Sequence, residues 1–164
     1  MTEKAQLPVI IRDTREKDGC GWKFRSSANC AGMEVTKLDT GDYSVKGYEH
    51  LIMVERKSIG DLWGTLTAGK ERFINEMERA KIIPARFLII EASPGEIDKG
   101  YKYSKVSPEF IHGYLISLQV KYGIHVIFAG RQDQAQTYAR RLLLKLARYC
   151  DEGVIRGPKP DNPA

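Results

Sequence analysis

The chain has 164 residues, the size of one domain, and 42% of them are hydrophobic, enough to form a single buried core. Its 26 basic and 21 acidic residues give a net charge of +5, and this composition is that of a globular protein and excludes a chain that is disordered throughout. The longest apolar runs fall far short of the ~20 residues of a membrane helix, which excludes a bilayer-spanning protein. The positive charge is compatible with a polyanionic partner without deciding for one.

The first half of the chain is predicted to be mainly β-structure. Segment 14–30 is polar and contains glycine, which indicates a loop or a short helix. A turn at Thr40-Gly41-Asp42 separates the second and third strands, and together the strands suggest a β-meander. The predicted strands are 7–11, 33–38, 43–45 and 51–57.

The second half of the chain alternates helices with strands. Ser58 is a suitable cap for a first helix, and Ser107-Pro108-Glu109 combines an N-cap, a first-turn proline and a dipole-matched acid. The predicted helices are 59–66, 71–81, 107–122 and 132–150, and the predicted strands are 86–91 and 124–129, with a polar loop over 93–106. A mixed sheet flanked by helices, and hence the α/β class, follows from this order.

The domain is expected to span residues 1–150, followed by a flexible tail at 151–164 rich in proline and glycine. The three widely spaced cysteines, Cys20, Cys30 and Cys150, form no C-x-x-C pair and are predicted to be free thiols. Met1 to Lys4 lead into the first strand without the apolar stretch of a secretory signal. We therefore expect an intracellular protein, in the cytoplasm, nucleoid or nucleus.

A group of charged residues accompanies the predicted strands. Gly41-Asp42 is followed after twelve residues by Glu55-Arg56-Lys57, and Asp61 comes three residues later. Because side chains alternate along a strand, Glu55 and Lys57 share one face, Arg56 takes the other, and Asp42 can lie across from Glu55. Two carboxylates and a lysine can hold Mg²⁺ and orient a water toward a phosphodiester. A plain ion pair between Glu55 and Lys57 on an edge strand is the alternative.

Several strings in the chain resemble the nuclease domain of the XPF family, structure-specific DNA endonucleases of excision repair and fork processing. These strings are I-R-D-T-R-E (11–16), G-D-x12-E-R-K-x3-D (41–61), L-W-G-T-L-T-A-G-K-E-R-F (62–73), F-L-I-I-E (87–91) and the segment 115–128. The resemblance covers about residues 9–150. It implies a restriction-endonuclease-like α/β fold and Mg²⁺- or Mn²⁺-dependent cleavage of one DNA strand near a duplex/single-strand junction.

The resemblance also implies roles for individual residues. It makes Asp13, Asp42 and Glu55 the acidic metal cluster and Lys57 the group that orients water. It further implies that Arg56 and Asp61 are motif partners and that Arg15 and Glu16 form another active-site pair. Asp61 is either a metal ligand or an acid that complements the dipole at the start of a helix.

The chain departs from the family pattern at two places. Family members commonly carry a tandem helix-hairpin-helix domain, and some a helicase, so we expect a stand-alone form here. Where the family often has G-R-L and a later glutamine, this chain has Gly69-Lys70-Glu71-Arg72-Phe73 and then Glu76. The phosphate contacts there stay open, with Lys70 and Arg72 as basic candidates.

Two further segments carry basic residues. The segment 99–105 interleaves lysines with Tyr101 and Tyr103, which indicates either a single-strand-binding surface using Lys102 and Lys105 or a solvated loop. The basic residues of the last helix are interpreted as a solvated face beside a leucine stripe; they are Arg140, Arg141, Lys145 and Arg148.

The leading prediction is a metal-dependent endonuclease that acts on branched or flapped DNA. The alternatives are a catalytically inactive DNA-binding or scaffolding relative and a protein-interaction module that supplies substrate to a helicase. All the acids and the lysine of the motif are present, which favours the active enzyme. A homodimer through the C-terminal-half helices is also expected, with an interface formed by Ile111, Leu115, Leu118, Leu142, Leu143 and Leu146.

Overall fold

The fold is a mixed β-sheet with helices on both faces, seen in a computed structural model that describes residues 6–17 and 19–158. The strands of the described residues are β1 (Val9–Arg12), β2 (Gly32–Val35), β3 (Tyr43–Val45), β4 (Ile52–Ser58), β5 (Ala85–Glu91) and β6 (His125–Phe128). The helices are α1 (Ile59–Leu66), α2 (Lys70–Ala80), α3 (Pro94–Asp98), α4 (Pro108–Tyr122) and α5 (Gln132–Asp151). The strands lie in the order β2-β1-β3-β4-β5-β6.

The predicted β-meander is wrong in its first half. β2 pairs with β1 in parallel at the edge of the sheet, whereas β3 pairs antiparallel with both β1 and β4. The connection between β1 and β2 is a crossover that carries Trp22 and Phe24 into the core, so the chain returns to the end of the sheet from which β1 started. β4, β5 and β6 are mutually parallel and joined by helices, as the α/β prediction requires.

Side-chain alternation along β4 separates the core into two layers. Val54 and its neighbours pack against α5 on one face, and Met53 packs against α1, α2 and α4 on the other. The central position of β4, between β3 and β5, buries most of the strand. Any charged residue of β4 is therefore held in an apolar surrounding and needs a partner.

Local signals located most helices well. Ser58 caps α1 and Ser107 caps α4 through their hydroxyl groups, and Gly123 ends α4 in the left-handed conformation. The segment predicted as a polar loop contains the short helix α3, which begins at a capping box between Ser93 and Glu96. None of the helices in the described residues combines the length and hydropathy needed to cross a membrane.

The leucine surface predicted to form a dimer lies in the core instead. Ile111, Leu115 and Leu118 pack under α4 against the sheet, and Leu143 and Leu146 do the same under α5, while Leu142 is partly buried beside them. Hydrophobic spacing predicts the apolar face of each helix but does not show how much of the sheet that helix covers.

The chain after α5 turns back on the domain. The amides of Val154 and Ile155 donate to the Tyr149 carbonyl, and the Ile155 side chain packs against the core. The predicted flexible tail extends to residue 164, and residues 159–164 lie outside the described residues, as do Met1 to Lys4. The three cysteines are free, as predicted.

Candidate active site

A cavity of about 210 Å³ lies between β4 and α2, on the face of the sheet that carries α1 and α2. It contains five of the predicted site residues together with Glu76, an acid for which the sequence predicts no role. Its lining residues are Arg15, Asp42, Glu55, Lys57, Thr65, Gly69, Arg72, Phe73 and Glu76. A larger cavity of about 730 Å³, beyond α2, contains none of the predicted site residues.

Glu55 and Lys57 reach the cavity from the same face of β4, as the strand period predicts. Lys57 Nζ donates to Glu55 Oε1 at 2.5 Å, and the two side chains are only 15% and 5% exposed, respectively. Burial, aided by the charge of Asp42, raises the pKa of Glu55 to about 8. Although burial opposes its charge, the carboxylates of Glu55 and Asp42 raise the pKa of Lys57, so this lysine stays protonated.

Asp42 is positioned by a tight turn that only glycine accommodates. Gly41 has φ +77°, and a Cβ there would stand 2.6 Å from the Met53 side chain. The Asp42 amide donates to the Val54 carbonyl at 2.9 Å, and the Arg56 amide donates to Asp42 Oδ2 at 2.8 Å. These bonds hold the carboxylate beside β4. Burial, with the charges of Glu76 and Asp13 adding to it, raises the pKa of Asp42.

Glu76 is the acid in the cavity that sequence reasoning missed. It projects from α2, and its Oε1 accepts a hydrogen bond from the Gly41 amide at 3.2 Å, which links α2 to the turn that carries Asp42. Its negative charge also acts on Asp42, Glu55 and Lys57. Glu76 lies four residues after Arg72, a spacing that places both side chains on one face of α2. This spacing is the feature of the sequence that could have predicted Glu76 in the site.

Asp13 is fully buried but does not line the cavity. Its Oδ1 accepts from the amide and Nε of Arg15 at 3.0 and 2.5 Å, and its Oδ2 accepts from the Leu38 amide at 2.6 Å. Against burial, these hydrogen bonds lower the pKa of Asp13. Both oxygens are therefore occupied, and the described residues contain no group of three acids, histidines or cysteines arranged to hold a metal.

Arg56 and Glu16 lie on the opposite face of β4, in a buried network with Glu91 and Trp22. Arg56 Nε and Nη2 donate to the two oxygens of Glu91 at 2.7 and 3.1 Å, and Nη1 donates to Glu16 Oε1 at 3.1 Å. The Trp22 indole N–H donates to Glu91 Oε1 at 2.8 Å. Burial, with the charge of Asp42, raises the pKa of Glu16. Each of the three guanidinium nitrogens thus donates a hydrogen bond to a carboxylate within the protein.

Asp61 lies outside the cavity, on the exposed first turn of α1. Its amide donates to Ser58 Oγ at 3.2 Å, and Ser58 Oγ donates to Asp61 Oδ2 at 2.8 Å. The structure thus places Asp61 where an acid complements the helix dipole.

The candidate DNA-binding residues fall into two groups. Arg72 lines the cavity, and Lys70 lies two residues before it on α2, with its Nζ 5.2 Å from the Tyr114 ring. Lys102 and Lys105 are exposed on the segment after α3, where Lys102 Nζ lies 4.6 Å from the Tyr103 ring. Of these four residues, only Arg72 lines the cavity.

Comparisons with known proteins agree with this architecture. A family model described as the ERCC4 domain matches residues 12–142. XPF from Aeropyrum pernix superposes with a TM-score of 0.62 at 21% identity, covering 87% of this chain and 67% of that one. The structure of the same protein in complex with DNA superposes with a TM-score of 0.60 at 22% identity, covering 86% of this chain and 65% of that one. These likenesses confirm the predicted restriction-endonuclease-like α/β fold.

One relative in sequence is a much longer protein. Protein MJ1505 of Methanocaldococcus jannaschii, which carries the name of an ATP-dependent RNA helicase, is 25% identical over 138 residues. The match covers 84% of this chain but only 15% of the relative.

Proposed function

The chain belongs to the ERCC4 domain family, and on this premise we propose that it is a metal-dependent endonuclease that hydrolyses a DNA phosphodiester near duplex/single-strand junctions. The observation that carries the proposal is the cavity in which Asp42, Glu55 and Lys57 meet. Its substrates are branched or flapped DNAs, and it acts inside the cell. The DNA-bound structure of XPF from Aeropyrum pernix supports DNA as the ligand.

The cavity fits a divalent cation by the chemistry of its donors. In the described part of the chain, no hydrogen-bond donor reaches Asp42 Oδ1 or Glu55 Oε2, although Oδ2 and Oε1 are engaged. Two carboxylate oxygens beside a cavity are ligands that Mg²⁺ and Mn²⁺ prefer. Asp42 and Glu55 would hold the ion, which would neutralise charge on the scissile phosphate. Asp13 would support them by fixing the loop that carries Arg15.

Lys57 supplies a permanent cation inside the cavity. Its ammonium group has three donors and spends one on Glu55, which leaves two for a water molecule or a phosphate oxygen. Lys57 is therefore the residue that orients the attacking water, and its charge stabilises the negative charge that develops on the phosphate.

Arg72 and Lys70 extend the positive charge outside the cavity. Both lie on the first turn of α2 and are exposed, so they can contact the phosphates that flank the scissile bond. Lys102 and Lys105, with the exposed ring of Tyr103, form a separate surface for single-stranded DNA. There a base can stack on the tyrosine ring while the lysines contact phosphates.

We retain the homodimer as a proposal, but its interface would be formed by a different surface, because the predicted leucines are buried in the core. On α4 the most exposed apolar residues are Ile116 and Val120, at 58% and 80% exposure, and β6 is the edge strand next to them. Pairing along α4 and β6 would cover this surface. Light scattering of a Val120→Glu variant would then show a monomer where the unmodified chain shows a dimer.

The function is tested with end-labelled flap, fork, splayed-arm and linear DNAs, each incubated with Mg²⁺, Mn²⁺ or EDTA. We expect cleavage of the branched DNAs in Mg²⁺ or Mn²⁺, none in EDTA, and none by Glu55→Gln. Asp61→Asn is the matched control, since it removes an acid of the same motif outside the cavity and should leave cleavage intact. A chain that binds branched DNA but cleaves none of it in either metal would instead be the inactive DNA-binding relative.

A further inference from the structure

A basic groove lies on the face of the sheet opposite the cavity, between α5 and the segment 23–29. Two adjoining depressions of about 640 and 550 Å³ form it, and they share Thr137 and Arg140. The charged residues that line them are all positive: Lys23, Arg25, Arg140, Arg141, Lys145 and Arg148. The groove therefore concentrates one sign of charge with no carboxylate in its lining.

The walls of the groove are held together by hydrogen bonds. Arg140 Nη1 donates to the Arg25 carbonyl at 2.9 Å, and its Nη2 donates to Ser27 Oγ. The Lys23 amide donates to Gln136 Oε1 at 3.0 Å. The guanidinium of Arg140 thus links the segment 23–29 to α5, and these hydrogen bonds fix the shape of the groove.

Most of the remaining basic residues of the groove form no ion pair with an acid in the described part of the chain. Arg148 pairs with Glu152 at 2.6 Å, whereas Lys23, Arg25, Arg141 and Lys145 belong to none of the ion pairs formed in residues 6–17 and 19–158. Arg141 and Lys145 are one turn apart on α5, a spacing at which like charges destabilise a helix by about 0.2–0.5 kcal/mol. A bound polyanion would relieve that repulsion.

The shape of the groove favours an extended ligand. Along α5 the lining runs from Gln136 to Arg148, and the rise of ~1.5 Å per residue makes this about 18 Å. Duplex DNA carries about one charge per 1.7 Å of its axis, so such a length faces several phosphates of a single arm. We propose that this groove is a second DNA-binding surface, which holds the sugar–phosphate backbone of a duplex arm.

The two surfaces are joined by the connection between β1 and β2. It begins with Arg15 at the cavity and reaches Lys23 and Arg25 at the groove, passing Glu91 at the end of β5, where the Trp22 indole is bound. A branched DNA, whose arms leave the junction in different directions, can contact both faces of the sheet at once. The groove rests on the proposed function only in taking DNA as the partner, since it needs neither metal nor cleavage.

The test measures binding of a labelled fork DNA by fluorescence anisotropy in EDTA over a series of salt concentrations. The variant is R141E/K145E, and the control is K37E/K46E, which makes the same change of charge at exposed positions outside the groove and the cavity. We expect the groove variant to bind at least about tenfold more weakly than the control, with a log–log salt slope smaller by about two. An affinity and slope equal to those of the control would overturn the proposal.

Two additions keep this test independent of folding and of catalysis. Circular dichroism and thermal melting check each variant, and R141A/K145A, which relieves repulsion within α5, replaces the charge reversal if that variant unfolds. Failure of the unmodified chain to cleave would refute the proposed enzyme and leave the binding result standing, whereas unchanged binding by the groove variants would refute the groove alone.

Discussion

The two faces of β4 treat buried charge in opposite ways. On one face, each guanidinium nitrogen of Arg56 donates to Glu16 or Glu91, and the Trp22 indole also donates to Glu91. On the other face, Glu55 and Lys57 bind each other but adjoin a cavity that also contains further carboxylates. Three consecutive residues thus serve a closed network and an open site, because the strand turns alternate side chains to opposite faces.

The difference between the faces indicates which charges fold the chain and which perform chemistry. Removing one partner of a buried ion pair leaves an uncompensated charge, so the closed network holds its members in place. On the open face, burial and neighbouring carboxylates oppose the ionisation of Asp42 and Glu55 and raise their pKa values. Burial also raises the pKa of Glu16 on the closed face, but there the charge and the hydrogen bond of Arg56 favour the ionised form. A divalent cation would remove the opposition at Asp42 and Glu55, so the open face suits a metal and the closed face does not.

The largest effect on catalysis, apart from the loss of Glu55, is expected from Lys57→Met. We expect cleavage to slow by about 10²–10⁴-fold, because the group that orients water is missing. Mn²⁺ binding should persist, since Lys57 is not a ligand. Single-turnover cleavage and calorimetry measure the two quantities, and a loss of Mn²⁺ affinity as large as that in Glu55→Gln would contradict this division of roles.

Breaking the closed network should affect stability instead. In Glu91→Ala, Arg56 loses two of its three carboxylate contacts and the Trp22 N–H loses its acceptor. We expect the free energy of unfolding to fall by about 3 kcal/mol, as for other buried pairs that lose one partner. Urea denaturation measures it. Wild-type stability in Glu91→Ala would show that the network is not what holds this face.

The pH dependence of stability should show that ionisation of Glu55 on the open face is unfavourable. In the folded, metal-free chain the pKa of Glu55 is raised to about 8 from an ordinary value of 4.5, so the folded state binds a proton more tightly than the unfolded state. This contribution to stability is complete below pH ~4.5 and is lost as pH rises toward 8. Melting temperatures in EDTA should therefore fall across this window, and less steeply in Glu55→Gln.

The comparison of the two melting curves has a clear contrary outcome. Curves of the unmodified chain and of Glu55→Gln that run parallel from pH 5 to 8 would mean that Glu55 ionises normally. Saturating Mg²⁺ should flatten the curve of the unmodified chain, because the cation binds the ionised carboxylate.

Glu76→Gln should give the smallest effect. Glutamine keeps an oxygen that can accept from the Gly41 amide, so the link between α2 and the turn survives while one negative charge leaves the cavity. We expect Mn²⁺ affinity to fall by about three- to tenfold, as a nearby charge in a partly solvated site would cause. Glu76→Ala should lose more, since it also frees the turn. Equal effects of both variants would assign the role of Glu76 to its charge alone, whereas unchanged Mn²⁺ affinity in Glu76→Gln would assign it to positioning alone.

Local patterns predicted much of this fold. Period-two alternation placed Glu55 and Lys57 on one face and Arg56 on the other, and caps located α1 and α4 closely. Strand partners were less accessible, because alternation shows which face is buried and not which strand lies alongside. The parallel pairing of β2 with β1 depends on a long crossover that no turn signal marks.

The site was predictable to the extent that it depends on single strands. Asp42, Glu55 and Lys57 meet as expected, but the contact between Gly41 and Glu76 joins residues 35 apart in the chain and follows only from the packing of α2. Likewise, Asp13 is occupied by Arg15 and by the Leu38 amide, 25 residues away. Contacts of this kind depend on tertiary structure, which motif spacing does not encode.

Calorimetric titration with Mn²⁺ tests most directly whether only the open face of β4 binds a cation. The unmodified chain, Glu55→Gln and Glu91→Gln are titrated under identical conditions, so that the same chemical change is made once on each face. We predict equal affinity for the unmodified chain and Glu91→Gln and at least about tenfold weaker binding by Glu55→Gln. Equal Mn²⁺ binding by Glu55→Gln and the unmodified chain, or an equal loss in both variants, would contradict the account.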